Sequence, residues 1–126
     1  MIQGFEDYTH ELTDVELKKV LPIIVKGLSN KIGKQNAVSN KFICETLNKK
    51  QMFEKYKLTS PRIRKIVNHI RMTGLILNLC SCQKGYFVAM NKEEMFEYLD
   101  GLGQRIDSQQ KVHDALVYQI KRFNEL

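Results

Sequence analysis

The sequence predicts a mainly α-helical domain with a small β-hairpin, followed by a long C-terminal helix. Three observations favour this fold class. Three segments between residues 12 and 73 place apolar side chains at helical spacing. The spacing changes after Gly74, where two short apolar runs flank a glycine-containing connection. Asn91 and Glu94, three residues apart, form a capping pattern that starts a final helix, and from there apolar residues recur at alternating steps of four and three, as in a heptad repeat.

A capping box opens the first helix. Thr13 is followed three residues later by Glu16, and Leu12 and Leu17 occupy the positions of a hydrophobic staple. The apolar residues that follow mark an amphipathic helix of about four turns. Pro22 lies inside this helix and predicts a bend, because proline removes a backbone hydrogen bond and clashes with the preceding turn.

The next elements are shorter. Ser39 is predicted to cap a second helix that ends near Asn48. Residues 49–58 are compatible with either a helical turn or a loop. Beyond the third helix, residues 75–80 and 86–90 are predicted strands, joined by the connection Ser-Cys-Gln-Lys-Gly. Because two strands alone are marginally stable, we expect this hairpin to pack on the helices.

The third helix, residues 61–73, is the most informative segment. Ser60 is predicted to cap it, Pro61 fits its first turn and Gly74 fits a left-handed exit. Its apolar stripe comprises Ile63, Ile66, Val67 and Ile70, and its other faces carry Arg62, Arg64, Lys65, Asn68 and Arg71. A helix that is aliphatic on one side and rich in Arg, Lys and Asn on the other is a candidate recognition helix for a DNA groove.

The positive charge is concentrated in the middle of the chain. The net charge is +6, but residues 26–73 hold twelve basic and two acidic residues, a net charge of +10. Residues 1–25 carry a net charge of −3 and residues 91–126 a net charge of −2. A charge that served only solubility would be spread more evenly, so this clustering favours a polyanionic partner.

Three helices followed by a β-hairpin, with a basic third helix, resemble the winged helix-turn-helix fold over residues 12–90. The most specific part runs from Arg62 to Met90, where Arg-Ile-Arg-Lys-Ile-Val-Asn-His-Ile-Arg leads into a hairpin ending Lys-Gly-Tyr-Phe-Val. This part is similar to small winged-helix proteins encoded by bacteriophages and prophages. The chain then divides into an N-terminal arm over 1–11, a DNA-binding domain over 12–90 and a C-terminal helix over 91–126. A phage origin implies the cytoplasm of a bacterial host.

The resemblance implies that the third helix enters the major groove of double-stranded DNA while the hairpin wing lies on the adjacent backbone. Arginine suits the edge of guanine, and asparagine suits the edge of adenine. Ser60 and Arg71, at the two ends of the helix, are expected on phosphates. The implied DNA-binding residues are Ser60, Arg62, Arg64, Lys65, Asn68 and Arg71 on or beside the third helix, Lys41 on the second helix and Lys84 at the wing tip.

The heptad pattern of the C-terminal helix favours a homodimer. The predicted dimerisation residues are Leu99, Leu102, Ile106, Leu116, Ile120 and Phe123. Two polar residues, Gln109 and His113, interrupt this seam and are expected to fix its register. The alternative is a helix that folds back over its own domain. Gly101 and Gly103 could also break the helix near its middle.

Other function classes find little support in the sequence. There is no phosphate-binding loop, paired-carboxylate motif or nucleophile signature, so an enzyme is not expected. The three cysteines lack the paired spacing of a structural zinc site and are interpreted as packed thiols, with no metal or cofactor expected. No apolar run approaches the roughly 20 residues of a membrane span.

The leading hypothesis is therefore a sequence-specific regulator that binds double-stranded DNA as a homodimer. One alternative is a protein-interaction adaptor that uses the C-terminal helix as its docking surface. Another is a replication or packaging accessory that binds DNA largely without sequence preference.

Overall fold

The computed structural model describes residues 11–49 and 57–124. The predicted N-terminal arm, except for Glu11, and most of the ambiguous segment 49–58 lie outside these residues. The prediction of a mainly helical chain with a small hairpin and a long C-terminal helix is confirmed. The elements are α1 (Leu21–Ser29), α2 (Asn40–Lys49), α3 (Ser60–Thr73), β1 (Leu79–Cys82), β2 (Gly85–Val88) and α4 (Lys92–Ile120).

The start of the first helix forms the predicted capping box. The Glu16 backbone N–H donates to the Thr13 hydroxyl at 3.2 Å, and the Thr13 N–H donates to the Glu16 carboxylate at 2.7 Å. A π-helical turn, Glu16–Val20, then leads into α1, whose first turn holds Pro22. The wider turn lies where proline disturbs the normal hydrogen-bond pattern, so the predicted bend takes the form of a π-bulge. Leu12 packs against the core and Leu17 is 37% exposed, so the hydrophobic staple stays a prediction.

One hydrophobic core lies between α1, α2, α3 and the hairpin. The apolar stripe predicted for α3 forms its centre, with each member less than 1% exposed. Helices α2 and α3 pack directly on each other. The buried apolar side chains that surround them are Val20, Leu21, Ile24, Leu28, Ile43, Leu47, Leu58, Ile76, Leu79 and Tyr86.

The hairpin is shorter than predicted. Cys82 pairs with Gly85, so that only Gln83 and Lys84 form the turn. Residues 75–78 are not part of β1. They form a turn in which Asn78 takes a positive φ of 61°, and this turn carries Ile76 into the core.

A third segment extends the hairpin on its outer edge. The Val38 N–H donates to the Tyr86 carbonyl at 2.9 Å, and the Tyr86 N–H donates to the Val38 carbonyl at 2.8 Å. The Val88 N–H donates to the Lys31 carbonyl at 2.7 Å, and the Gly33 N–H donates to the Val88 carbonyl at 2.8 Å. The connection between α1 and α2 thus satisfies the free edge of β2 and holds the hairpin against the helices.

Helix α4 is continuous through Gly101 and Gly103. Asn91 caps it as predicted, because its side chain accepts a hydrogen bond from the Glu94 N–H at 3.0 Å. The first three turns lie against β1, and every side chain described from Gly103 onward is exposed. The alternative in which this helix folds back over its own domain is therefore wrong. None of the helices described is both long and apolar enough to span a bilayer.

Candidate nucleic-acid interface

The orientation of α3 follows from its ends and its buried stripe. Thr59, with an extended backbone, is the residue that precedes the helix, and Ser60 is its first helical residue. The prediction that Ser60 is the cap is therefore wrong by one position. Pro61 lies in the first turn, and Gly74 closes the helix with a φ of 73°, as predicted. With the aliphatic stripe buried, the faces that reach solvent are fixed.

Arg62 does not lie on the exposed face, and its prediction as a DNA contact is wrong. It is 4% exposed and forms a two-pronged ion pair with the fully buried Glu16. The Arg62 Nε–H donates to one carboxylate oxygen at 2.8 Å, and its Nη2 contacts the other oxygen and donates to the Glu11 carbonyl at 3.0 Å. This pair joins α3 to the capping box that precedes α1.

The sequence contained a signal for this pair. Arg62 lies four residues before Ile66, which lies four before Ile70, so all three share one helical face. Glu16 likewise lies four residues before the buried Val20, on the side of the first helix that faces the core. One acid and one base, each on an apolar stripe, indicate a buried pair, because a buried charge requires a partner.

Arg71 also serves the fold. Its Nε–H donates to the Leu79 carbonyl at 2.8 Å, and its guanidinium carbon lies 5.8 Å from the Tyr86 ring centroid and 5.4 Å from that of Tyr98. Arg71 thus ties the end of α3 to β1, β2 and α4. Its contact with a phosphate stays a prediction.

Arg64 and Asn68 are exposed and lie one turn apart on α3, as predicted. Both face a groove of about 580 Å³ between α3, the hairpin and α4. Lys65 is half-buried and does not line the groove. Three guanidinium groups and three amides reach this groove, and no carboxylate does, among the side chains described. Its polar lining comprises Ser39, Asn40, Arg64, Asn68, Arg71, Ser81, Gln83, Tyr98 and Arg105.

The hairpin turn forms one border of this groove. Gly85 has a φ of 131°, and a Cβ atom there would lie 2.0 Å from the Val38 carbonyl oxygen, so only glycine fits this close approach. Lys84 is exposed at the tip of the turn, as predicted for a wing residue. Gln83, beside it, points into the groove.

Helix α2 presents its first residues to the same groove. The Ser39 hydroxyl accepts the Phe42 N–H at 3.0 Å and so caps the helix as predicted. The amide of Asn40 donates to the Tyr86 hydroxyl at 2.9 Å, which fixes its position beside α3. Lys41 is exposed, but it lies outside the groove.

Helix α4 contributes Arg105, which sequence reasoning missed. Glu94 holds the start of α4 in place, because its carboxylate accepts the N–H groups of Met90 at 2.8 Å and Lys34 at 3.0 Å. These hydrogen bonds lower the pKa of Glu94. Lys34 also pairs with Glu97 at 2.8 Å, which raises the pKa of Lys34. The heptad pattern does not single out Arg105, so its place in the same groove as Arg64 required the tertiary structure.

The three thiols are unpaired with one another and hold packed positions. Cys80 is buried, and Cys44 and Cys82 are half-buried. Burial raises the pKa values of Cys44 and Cys80, which keeps these thiols protonated near neutral pH. Within residues 11–49 and 57–124, no three His, Cys, Asp or Glu side chains come together in a cluster that could hold a metal ion.

The described site is therefore a concave, cationic, amide-rich surface on a helix that is fixed by a buried ion pair at one end and by Arg71 at the other. Such a surface can bind phosphates through its arginines and the edges of bases through arginine and asparagine. Comparisons of the chain with protein-family models, with curated proteins and with solved structures found no match.

Proposed function

We propose that this protein binds double-stranded DNA in a sequence-specific manner and acts as a transcriptional regulator. The observation that carries the proposal is the exposed pair Arg64 and Asn68 on a rigidly held helix, facing a groove without a carboxylate among the described residues. A helix of about 10–12 Å diameter fits the major groove, which is about 12 Å wide. Arg64 then reads guanine and Asn68 reads adenine.

The order of the elements supports a winged helix-turn-helix assignment. Three helices precede the hairpin, and the connection over residues 31–38 pairs with the edge of β2. In this assignment α3 is the recognition helix and the β1–β2 turn is the wing. Of the two residues in the short turn, only Lys84 is charged, so the wing contacts the phosphate backbone through one cation.

The remaining cations are assigned by their positions. Arg105 lines the same groove as Arg64 and is assigned to the backbone that borders the major groove. Lys41 and Lys84 are exposed on either side and contact phosphates. Ser60 is half-buried at the start of α3, and its hydroxyl or backbone N–H is assigned to a phosphate. Arg62 is withdrawn from the contact set, because it belongs to the buried pair.

A binding selection from random duplexes, followed by fluorescence anisotropy titrations at several salt concentrations, tests the proposal. We expect Arg64→Ala and Asn68→Ala each to weaken binding to the selected site by about 5- to 150-fold, the equivalent of about 1–3 kcal/mol, and to relax preference at one base pair. Lys84→Ala should weaken binding to all duplexes alike and lower the salt slope by about one.

The matched control is Lys26→Ala, which removes one exposed positive charge from α1, outside the groove. Its affinity and preference should equal those of the unmodified protein. Failure of the unmodified protein to bind any duplex at low salt contradicts the proposal. Steep salt dependence without base preference would instead indicate a non-specific replication or packaging accessory.

The exposed second half of α4 supports an adaptor function as the second candidate. In that case α4 provides the face on which a protein partner docks. Charge reversal at Arg64 separates the two functions, because it should abolish DNA binding but leave docking through α4 intact. Reversal at Arg62 is unsuitable for this purpose, since it would place two like charges together in the protein interior.

A further inference from the structure

The second half of α4 exposes an apolar face that is interrupted by Gln109 and His113. Three members of the predicted seam, Ile106, Leu116 and Ile120, are 65%, 57% and 61% exposed. No residue of α4 is buried. The opposite face is polar and carries an ion pair between Lys111 and Asp107 at 3.3 Å. An amphipathic helix whose apolar stripe faces water indicates that a binding partner buries this stripe.

The body of this chain does not cover the stripe. Helix α4 contacts β1 through its first turns, and Leu102 is the last of its residues to be half-buried. From Ile106 to Ile120 the seam spans about 21 Å of α4, and a 3-10 turn, Lys121–Asn124, then carries Phe123. A face of this length and straightness fits another helix better than a globular surface.

We propose that this face pairs with the same face of a second copy of the chain, as a parallel two-stranded coiled coil. In heptad terms Ile106, His113 and Ile120 occupy a positions, while Leu102, Gln109, Leu116 and Phe123 occupy d positions. Isoleucine at a with leucine at d favours two parallel strands. This inference rests on α4 alone and is independent of DNA binding.

The polar residues of the seam decide the orientation. In a parallel, in-register pair, Gln109 meets the partner copy's glutamine, and His113 meets the partner copy's histidine. An antiparallel pair centred on the exposed seam would instead set Gln109 against Ile120, and His113 against Leu116. Burying a polar side chain against an aliphatic one without a hydrogen-bond partner is unfavourable, so the parallel arrangement is preferred.

The positions that flank the seam agree with this pairing. Val112 and Val117 occupy g and e positions, which meet between the two strands of a parallel coiled coil. Both are largely exposed in the single chain. Contact between these valines of the two chains would add apolar area in the middle of the interface, next to Gln109 and His113.

Light scattering of the full chain at micromolar to 100-micromolar concentration tests the self-association. We expect a mass of twice 14.7 kDa for the unmodified protein. Leu116→Asp should reduce the mass to that of one chain, with a dissociation constant raised at least 100-fold. The matched control is Tyr118→Asp, which places the same charge on the opposite face, where Tyr118 is 72% exposed, and should leave the dimer intact.

A single-chain mass for the unmodified protein overturns the proposal, as does a dimer that persists in Leu116→Asp. Thermal unfolding of both variants shows whether the domain remains folded. Because Leu116 lies beyond the core, its substitution should leave the unfolding of the DNA-binding domain unchanged. Loss of the dimer while the domain stays folded would therefore show that the seam residues form the dimer contact.

Cysteine cross-linking tests the orientation. In a parallel dimer, the thiols introduced by Ile106→Cys face each other and form a disulfide between chains under mild oxidation. In the antiparallel alternative, cross-links form only when Ile106→Cys chains are mixed with Phe123→Cys chains. Cross-linking only in the mixture, or in neither sample, overturns the parallel arrangement. The unmodified protein, treated alike, controls for Cys44, Cys80 and Cys82.

Discussion

Two arginines of α3, two positions apart, should respond to alanine substitution in opposite ways. Arg62 is buried against the Glu16 carboxylate, whereas Arg64 is exposed and faces the groove. Arg62→Ala removes the guanidinium that pairs with the buried Glu16 carboxylate, and breaking a buried ion pair from one side typically destabilises a protein by about 3–5 kcal/mol. Arg64→Ala removes an exposed side chain and should change stability by no more than about 0.5 kcal/mol.

The expected loss of stability is large relative to the total free energy of unfolding. A domain of this size is typically stable by about 5–15 kcal/mol, and each kcal/mol changes its melting temperature by roughly 4–8 °C. Arg62→Ala should therefore lower the melting temperature by at least about 12 °C. Circular dichroism during thermal and urea unfolding measures the loss, and anisotropy on the same samples measures DNA binding. The DNA affinity of Arg62→Ala should follow its folded fraction.

A second variant keeps this reasoning testable if Arg62→Ala does not fold. Replacing a buried ion pair by apolar residues of similar volume is often neutral or stabilising. The double variant Glu16→Met with Arg62→Met should therefore recover most of the lost stability, less about 1 kcal/mol for the missing cap on the Thr13 N–H. The reasoning is refuted if Arg62→Ala melts within a few degrees of the unmodified protein and yet loses DNA affinity.

Three further predictions follow from single contacts. Gly85→Ala should unfold the hairpin edge and destabilise the domain by at least about 2 kcal/mol, because its Cβ would overlap the Val38 carbonyl. In contrast, Gly101→Ala meets open space in a helix and should stabilise by up to about 1 kcal/mol, as urea unfolding of both variants would show. Because the pKa of Glu94 is lowered in the folded protein, its contribution to stability is present above the ordinary pKa of 4.5 and is lost as the pH falls through the folded-state pKa. The difference in melting temperature between Glu94→Gln and the unmodified protein should therefore shrink from pH 7 to pH 3. His113→Leu should lower the dissociation constant of the dimer by about tenfold or more in sedimentation equilibrium, and a weaker dimer would contradict the assignment of this residue to the seam.

Local signals predicted the helices well, because each helix end depends on a few neighbouring residues. The Thr13–Glu16 box, the Ser39 cap, the Asn91 cap and the Gly74 exit all formed where the sequence places them. These interactions close within four residues, so no knowledge of the tertiary structure is required. Pro22 likewise indicated a disturbance in the first helix, although not its π-helical form.

The strands were harder to predict, because their limits depend on distant partners. Leu75, Ile76 and Leu77 resemble the start of a strand, but the chain turns at Asn78, and only Ile76 enters the core. The partner of β2 on its outer edge is the connection over residues 31–38, far away in sequence. No period in that connection identifies it as a pairing segment.

The candidate site shows the same division. The exposure of Arg64 and Asn68 follows from the helical period alone. The charge of Arg62 predicts a ligand contact, whereas its place on the same helical face as Ile66 and Ile70 predicts burial, and the structure shows burial. Arg105 reaches the groove only because α4 lies near α3 in the folded chain, which no local pattern predicts. A basic residue on a helix therefore indicates a ligand only after its place relative to the apolar stripe has been determined.

The two proposals meet in α4, where Arg105 borders the groove and Ile106 begins the fully exposed seam. Since α4 is one helix through Gly101 and Gly103, no flexible linker separates the DNA-binding face from the dimer contact. In a parallel dimer the distance between the two α3 helices is then set by helix geometry. Such a dimer should accept half-sites only at a fixed spacing, about one helical turn of DNA or a multiple of it. Insertion of five base pairs between half-sites, which rotates one by half a turn, should reduce binding to that of a single half-site. Equal affinity at all spacings would show that the two faces are not rigidly joined.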